Sequence, residues 1–122
     1  MDTHRSDLEL LRKTYLAFNA RDIDAVLATM LPDVEWPDGL KGGYLDDREA
    51  VREYWTRQWS QFDPSVEPVE FEEKGDLGIL VKVHQVVHDS SGAIILDQYA
   101  GHRYMLENGP IRTMEILPPF PE

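Results

Sequence analysis

Residues 94–117, IILDQYAGHRYMLENGPIRTMEIL, determine the fold, because they have the pattern of two strands joined by a tight turn. Apolar and polar side chains alternate with a period of two on either side of Glu107-Asn108-Gly109-Pro110. That period is typical of a strand with one buried face, and an Asn-Gly pair is typical of a hairpin turn. We predict strands over 94–106 and 111–117.

A second hairpin precedes this one, and helices precede both. The alternation begins near residue 66, a long strand is predicted over 80–87, and Asp89-Ser90-Ser91-Gly92 is predicted as its turn. N-terminal to residue 65 the apolar residues have the helical spacing of 3.6. Helices followed by an antiparallel meander predict an α+β fold, with the helices laid on one face of a curved sheet.

The helix boundaries are predicted from capping residues and prolines. A capping box at residues 6–9 would start the first helix, and Asp22 would cap a short second helix that Pro32 ends. Asp46, with Glu49 three residues later, would cap a third helix that Pro64 closes. The first helix carries one apolar stripe, consisting of Leu8, Leu11, Tyr15 and Phe18.

Length and composition narrow the class of protein. The chain has 122 residues, which is the size of one domain, so we predict a single domain over 1–122. Lys and Arg number 12 against 23 Asp and Glu, giving a formal charge of −11, and the basic residues are scattered. Nucleic acid and anionic membranes are therefore not expected as partners.

Several kinds of site and segment are not expected. The chain has no cysteine, which removes disulfides, thiolate metal sites and cysteine nucleophiles. No phosphate-binding or dinucleotide motif occurs, so no cofactor is expected. Residues 1–7 lack the pattern of a signal peptide and no apolar run approaches the length of a membrane span, so we expect a cytoplasmic protein.

Four segments resemble a known family. They are residues 15–25 (YLAFNARDIDA), 32–37 (PDVEWP), 48–55 (REAVREYW) and 102–111 (HRYMLENGPI). In order and spacing they resemble the nuclear transport factor 2-like superfamily, and within it the SnoaL-like domains. The resemblance implies a cone, in which a strongly curved, mainly antiparallel sheet wraps three N-terminal helices and leaves a pocket at its open end.

The resemblance and the strand alternation together suggest catalytic residues. Alternation places His102 and Tyr104 on one face of their strand, and the resemblance implies that this face looks into the cone. Related isomerases and cyclases have an acidic residue where this chain has His102, which suggests an acid–base role for the imidazole and an orienting role for Tyr104. Trp36 and Thr14 stand where ketosteroid isomerase-like members have their base and their tyrosine, so that chemistry is not expected.

Further residues are expected to line the pocket. Flat apolar walls with a few polar tips suit a cyclic organic ligand. Gln85 and Gln98 fall in the inward phase of their strands, where a buried amide either orients a ligand or bonds across strands. The expected pocket residues are Tyr15, Trp36, Tyr54, Trp55, Gln85, Gln98 and Met114.

No metal site is expected. His84 and His88 are four residues apart on a strand, so their Cα atoms lie about 13 Å apart and cannot share one ion. His84 is also in the opposite phase to His102.

Three functions remain open on the sequence. The first is an isomerase, cyclase or dehydratase with His102 as its acid–base group, and the second is a non-catalytic binder of a small organic molecule. The third is a structural homodimer whose pocket is filled. The resemblance implies dimerisation through the outer sheet face, where the residues expected are Ile79, Tyr99, Arg103, Met105 and Thr113.

Overall fold

The computed structural model describes residues 3–37 and 43–117 and confirms the α+β fold. The helices are α1 (Thr3–Asn19), α2 (Ile23–Leu27) and α3 (Arg48–Trp59), with a short 3₁₀ turn at Gly75–Leu77. The strands are β1 (Met30–Pro37), β2 (Tyr44–Leu45), β3 (Asp63–Glu73), β4 (Ile79–His88), β5 (Ile94–Leu106) and β6 (Ile111–Leu117). They form one curved sheet in the order β2-β1-β6-β5-β4-β3, in which β1 and β6 are parallel and every other pair is antiparallel.

The first two helices differ from their predicted bounds. Helix α1 begins at Thr3, so Ser6 lies inside the helix and the predicted capping box is wrong. The Asp22 cap is present, since its carboxylate accepts a hydrogen bond from the Ala25 N–H at 3.2 Å. Pro32 does not end α2, because it lies in β1. It falls within the register shift between Met30 and Glu35. At such a shift the neighbouring strand does not need the N–H donor that proline lacks.

The third helix is shifted in a similar way. The capping residue is Asp47 rather than Asp46, and its carboxylate accepts from the Ala50 N–H at 2.8 Å. Helix α3 ends at Trp59, before Pro64, which lies in β3 opposite Val87. Strand β3 is the last strand in the sheet order, and an edge strand tolerates a proline because its outer side has no ladder partner.

The two long hairpins follow the predicted pattern. Strands β5 and β6 have the predicted bounds, and β4 extends the predicted strand by one residue at each end. The Asp89 carboxylate accepts from the Ser91 hydroxyl and from the N–H groups of Ser91 and Ala93, which holds the β4–β5 turn and lowers the pKa of Asp89. The sequence also predicts a loop over residues 37–44, with three glycines, and a proline-rich tail at 118–121, and residues 38–42 of that loop and the whole tail lie outside the described residues.

Cross-strand register separates the sheet into an inner and an outer face. On the inner face Val81 pairs with His102 and Gln85 pairs with Gln98, while on the outer face His84 pairs with Tyr99. Residues of the inner face pack against the helices, and the largest buried side chains are Tyr104, Leu11, Met30, Ile111, Val26, Val34, Val51, Val81 and Val83.

One expected outer residue is on the inner face. Ile79 pairs with Tyr104, is in phase with Val81 and is 8% exposed, so its prediction on the outer face is wrong. Gly78, just before it, has a φ of +88°, and a Cβ there would clash with the Tyr104 carbonyl oxygen. A glycine is therefore required where β4 starts beside Tyr104.

No helix in the described ranges combines the length and the apolar character needed to span a bilayer.

Candidate functional site in the cone

A cavity of about 100 Å³ lies between the helices and the inner face of the sheet. None of the described residues that line it carries an ionised side chain of Asp, Glu, Lys or Arg. The lining residues are Thr14, Tyr15, Phe18, Val26, Trp36, Pro37, Tyr54, Trp55, Gln58, Val66, Gln85, His102, Tyr104, Met114 and Ile116. Because burial of an unpaired charge is costly, such a lining favours an uncharged occupant.

Aromatic rings form much of the wall. The rings of Trp36 and Trp55 meet edge to face, with centroids 5.4 Å apart and planes at 86°. Phe18 packs on Trp55 in the same manner at 5.4 Å, and Tyr104 lies 6.2 Å from Trp36. Trp36 and Trp55 are 7% and 3% exposed, so they belong to the core as well as to the wall.

These tryptophans narrow the cavity without filling it. A dry cavity of about 150 Å³ can hold benzene. The space here, about 100 Å³, is smaller, so a ligand of one small ring fits only when the walls move apart. The presence of this cavity argues against a completely filled pocket, which is part of the third hypothesis.

A chain of hydrogen bonds, which we call the tyrosine relay, joins Tyr104, Tyr15 and His102. The Tyr104 O–H donates to the Tyr15 hydroxyl oxygen at 2.8 Å, and the Tyr15 hydroxyl lies 2.9 Å from His102 Nδ1. Tyr15 comes from the apolar stripe of α1, while His102 and Tyr104 stand two residues apart on the inner face of β5. The helix and the strand thus bring together three titratable side chains that lie far apart in sequence.

Burial keeps the whole relay uncharged at neutral pH. Desolvation disfavours a charged imidazole and lowers the pKa of His102 to about 4. Desolvation also raises the pKa of Tyr15, and its contacts with Tyr104 raise it further. For Tyr104 burial raises the pKa, while the hydrogen bond to Tyr15 acts weakly in the opposite direction.

The two glutamines play different parts. Gln85 lines the cavity, whereas Gln98 is not among the lining residues. The Gln98 amide instead donates to the Gln85 oxygen across the strands at 3.4 Å, which is a long contact for a hydrogen bond. Of the two alternatives for a buried amide, the structure shows a bond across strands for Gln98.

The other predicted residues are placed as follows. Tyr15, Trp36, Tyr54, Trp55, Met114, His102 and Tyr104 all line the cavity. Tyr104 is 1% exposed and its hydroxyl is directed to Tyr15, which suits a positioning role better than direct contact with a ligand.

Several lining residues were not in the predicted set. They are Thr14, Phe18, Val26, Pro37, Gln58, Val66 and Ile116. Phe18 belongs to the predicted helix stripe, and register places Val66 opposite Gln85 and Ile116 opposite His102. Only the sheet register, which pattern alone does not give, could have identified these two strand residues. Thr14 lies beside Tyr15, and its hydroxyl donates to the Leu10 carbonyl at 2.8 Å.

The outer face carries a different histidine. His84 Nε2 lies 2.6 Å from an Asp97 carboxylate oxygen, and its ring stacks on Tyr99 at 4.9 Å. It is on the face opposite to His102, as the alternation predicts. Within residues 3–37 and 43–117, no cluster of three or more His, Asp or Glu side chains could hold a metal ion.

The fold agrees with the family comparison. The SnoaL-like domain family matches residues 11–112, so the chain belongs to this family. No curated protein sequence matches the chain.

Solved structures with the same fold include a protein of unknown function, a ligand complex and an enzyme. An NTF2-like protein of unknown function from Burkholderia pseudomallei K96243 is 29% identical, with 91% of this chain and 88% of that chain covered and a TM-score of 0.80. TerC, co-crystallised with polyporic acid, is 26% identical, with coverages of 92% and 90% and a TM-score of 0.80. SalBIII, an epoxide hydrolase/cyclase-like enzyme in pyran ring formation in polyether salinomycin, is 18% identical, with coverages of 96% and 93% and a TM-score of 0.81. At that identity SalBIII shows the shared fold alone.

Proposed function

We propose that the cone cavity binds a small, uncharged cyclic organic molecule, and that His102 is the acid–base group of an isomerase, cyclase or dehydratase-type reaction on it. The observation that carries this proposal is the tyrosine relay, which ends on a neutral imidazole at the wall of an aromatic cavity. The co-crystal of the 26% identical TerC with polyporic acid supports an organic ligand for this fold.

The character of the cavity supports an uncharged ligand. Its described lining offers rings, amides and hydroxyls but no countercharge, while the chain as a whole carries a formal charge of −11. A buried carboxylate ligand would meet no cation there, and an ammonium ligand would meet no anion. A neutral ring loses little hydration on entry and packs against the aromatic wall.

The relay supports chemistry at His102. The Tyr15 hydroxyl bonds directly to Nδ1 of the imidazole, and the Tyr104 hydroxyl bonds in turn to Tyr15. Nε2 has no hydrogen-bond partner among the described residues, although the ring lines the cavity. A neutral imidazole with one nitrogen held by the protein and the other directed to a ligand has the arrangement that proton exchange requires.

A set of matched six-membered ring compounds tests the ligand class. We would titrate the ¹⁵N-labelled protein with cyclohexanone, cyclohexanecarboxylate and cyclohexylammonium, and follow amide chemical shifts. The proposal expects cyclohexanone to shift the signals of cavity residues, and both ions to bind at least about tenfold more weakly. Shifts confined to other surfaces, or equal binding of the ions, would overturn the uncharged-ligand assignment.

Deuterium exchange at the α-carbon of bound cyclohexanone tests the acid–base role. The wild-type protein should accelerate exchange in D₂O, because a proton donor at the carbonyl oxygen promotes enolisation while solvent base takes the α-proton, and His102→Asn should lower that acceleration by roughly 10²–10⁴-fold with binding nearly retained. Asn keeps approximate volume and hydrogen-bonding capacity but does not titrate. Binding without any accelerated exchange would reject catalysis and favour the alternative, a non-catalytic small-molecule binder.

A further inference from the structure

We infer that Tyr15 and Tyr104 hold His102 in the tautomer with its proton on Nε2, so that the cavity presents a hydrogen-bond donor to a ligand carbonyl oxygen. The ligand part of this inference rests on the function proposed above, whereas the tautomer part stands on the relay alone. Tyr15 and Tyr104 are positioning residues in this account, since they act on the ligand through His102.

The direction of the relay follows from counting protons. The Tyr104 O–H donates to the Tyr15 oxygen, which leaves Tyr15 with its own proton to place. In the described part of the chain, the Tyr15 hydroxyl bonds to Tyr104 and to His102 Nδ1. Nδ1 is therefore the acceptor for the Tyr15 proton, so it carries a lone pair and the ring proton is on Nε2.

The reverse direction fails for the same reason. If Nδ1 carried the proton and donated to Tyr15, the Tyr15 oxygen would accept two bonds and its own proton would have no acceptor. Tyr15 is 4% exposed, and a buried hydroxyl proton without a partner is rare in proteins. Burial also keeps the imidazole uncharged, so that one of its nitrogens bears no proton.

The exposed end of the imidazole defines the ligand group. Among the described residues, Nε2–H has no partner, and none of those that line the cavity carries an ionised side chain. The complement of an N–H donor in an uncharged, aromatic space is a neutral acceptor oxygen. A ring ketone or lactone offers such an oxygen and also packs against Trp36 and Trp55.

Nitrogen NMR of the imidazole rings tests the tautomer directly. We would label histidine with ¹⁵N, assign His102 by the signals lost in His102→Asn, and record ring nitrogens near pH 7.5. The wild-type protein should show a protonated Nε2 and a lone-pair Nδ1. Tyr104→Phe should weaken this preference, because the Tyr15 oxygen loses its donor, and Tyr15→Phe should reduce it to the modest Nε2 preference of a free neutral imidazole side chain.

His84 is the control for this measurement. It lies on the outer face, with Nε2 against Asp97, and its signals should be the same in all of these variants. A wild-type His102 with its proton on Nδ1 would overturn the inference. So would a tautomer that stays unchanged in Tyr15→Phe, because a merely structural tyrosine would leave it unmoved.

A pair of ligands of the same shape tests the acceptor. Cyclohexanone and methylenecyclohexane differ only in replacement of the carbonyl oxygen by CH₂. The wild-type protein should bind the ketone about fivefold more tightly, the difference that one ordinary hydrogen bond makes. In Tyr15→Phe that ratio should fall toward one.

The outcomes separate the two proposals. Equal affinities in the wild-type protein, or no binding of either compound, would overturn the ligand assignment. A protonated Nε2 together with no binding of either compound would leave the tautomer established and reject the proposed function. Retained ketone binding with a proton on Nδ1 would reject the tautomer and leave the proposed ligand class standing.

Discussion

The inner and outer faces of the β4–β5 hairpin use the same kinds of residue in opposite ways. On the inner face, His102 bonds to Tyr15 beside a cavity whose described lining has no ionised side chain, and burial lowers its pKa to about 4. On the outer face, His84 contacts the Asp97 carboxylate and stacks on Tyr99, whose ring also lies 5.1 Å from Lys82 Nζ. Because side chains alternate between the two faces, neighbouring residues of one strand lie in these two different environments.

The difference predicts where substitutions should cost the most free energy in this fold. The outer ion pair between Arg103 and Glu115 is 2.7 Å long, but its side chains are 34% and 38% exposed, so water screens it. The inner hydroxyls are desolvated, and each unmet hydrogen bond there is costly. Changes on the inner face should therefore alter stability and ligand binding much more than changes on the outer face.

The largest expected difference between the faces is in tyrosine truncation. Tyr104→Ala should lower the free energy of unfolding by about 3–5 kcal/mol, because it opens a cavity at a fully buried ring and removes the donor to Tyr15. Tyr99→Ala, five residues earlier on the half-buried outer face, should lower it by about 1 kcal/mol. Urea denaturation measures both, and equal losses would contradict the distinction.

The pH dependence of stability should separate the faces by a smaller amount. The pKa of His102 is about 4 when folded and near 6.5 when unfolded. The unfolded chain therefore binds the extra proton, and the stability present above pH 6.5 is lost as the pH falls toward 4.

The measurement is best made above the isoelectric point, which is about 4.7. Between pH 7.5 and 5.5 the wild-type protein should lose about 1 kcal/mol more stability than His102→Asn does over the same interval. The variant carries the same carboxylates, so their titration cancels in the comparison. Parallel curves for the two proteins would show that the imidazole is not desolvated.

The smallest expected effect is on the outer face. A double-mutant cycle on Arg103→Ala and Glu115→Ala should give a coupling free energy below about 1 kcal/mol, and 1 M NaCl should reduce it further. A coupling above about 2 kcal/mol that salt does not change would mean that the outer face is as desolvated as the inner one.

Local sequence patterns predicted the sheet better than the helix ends. The period of two placed His102 and Tyr104 on one common face correctly, since alternation in a strand depends only on the backbone, and the family resemblance identified that face as the inner one. Local pattern wrongly predicted that Pro32 and Pro64 end helices, whereas both lie in strands. A proline is tolerated in a strand wherever the neighbouring strand leaves its N–H side unpaired.

The relay itself could not be predicted from pattern. Tyr15 was expected in the pocket on the basis of a helix stripe, and His102 on the basis of alternation and the family resemblance. Their hydrogen bond depends on how α1 lies across β5, a relation between elements 87 residues apart. The role of Gln98 likewise depended on its exact partner across the sheet, Gln85.

The central claim is that His102 faces a desolvated, uncharged cavity, and the titration of its ring protons by NMR tests this most directly. We would follow the Cε1–H signal of His102 from pH 8 to pH 5.5, with assignment by its loss in His102→Asn. The account predicts a nearly constant shift over this range, because a ring with a pKa of about 4 stays neutral throughout. A midpoint between pH 6 and 7 would contradict it, since that is the behaviour of a solvated imidazole.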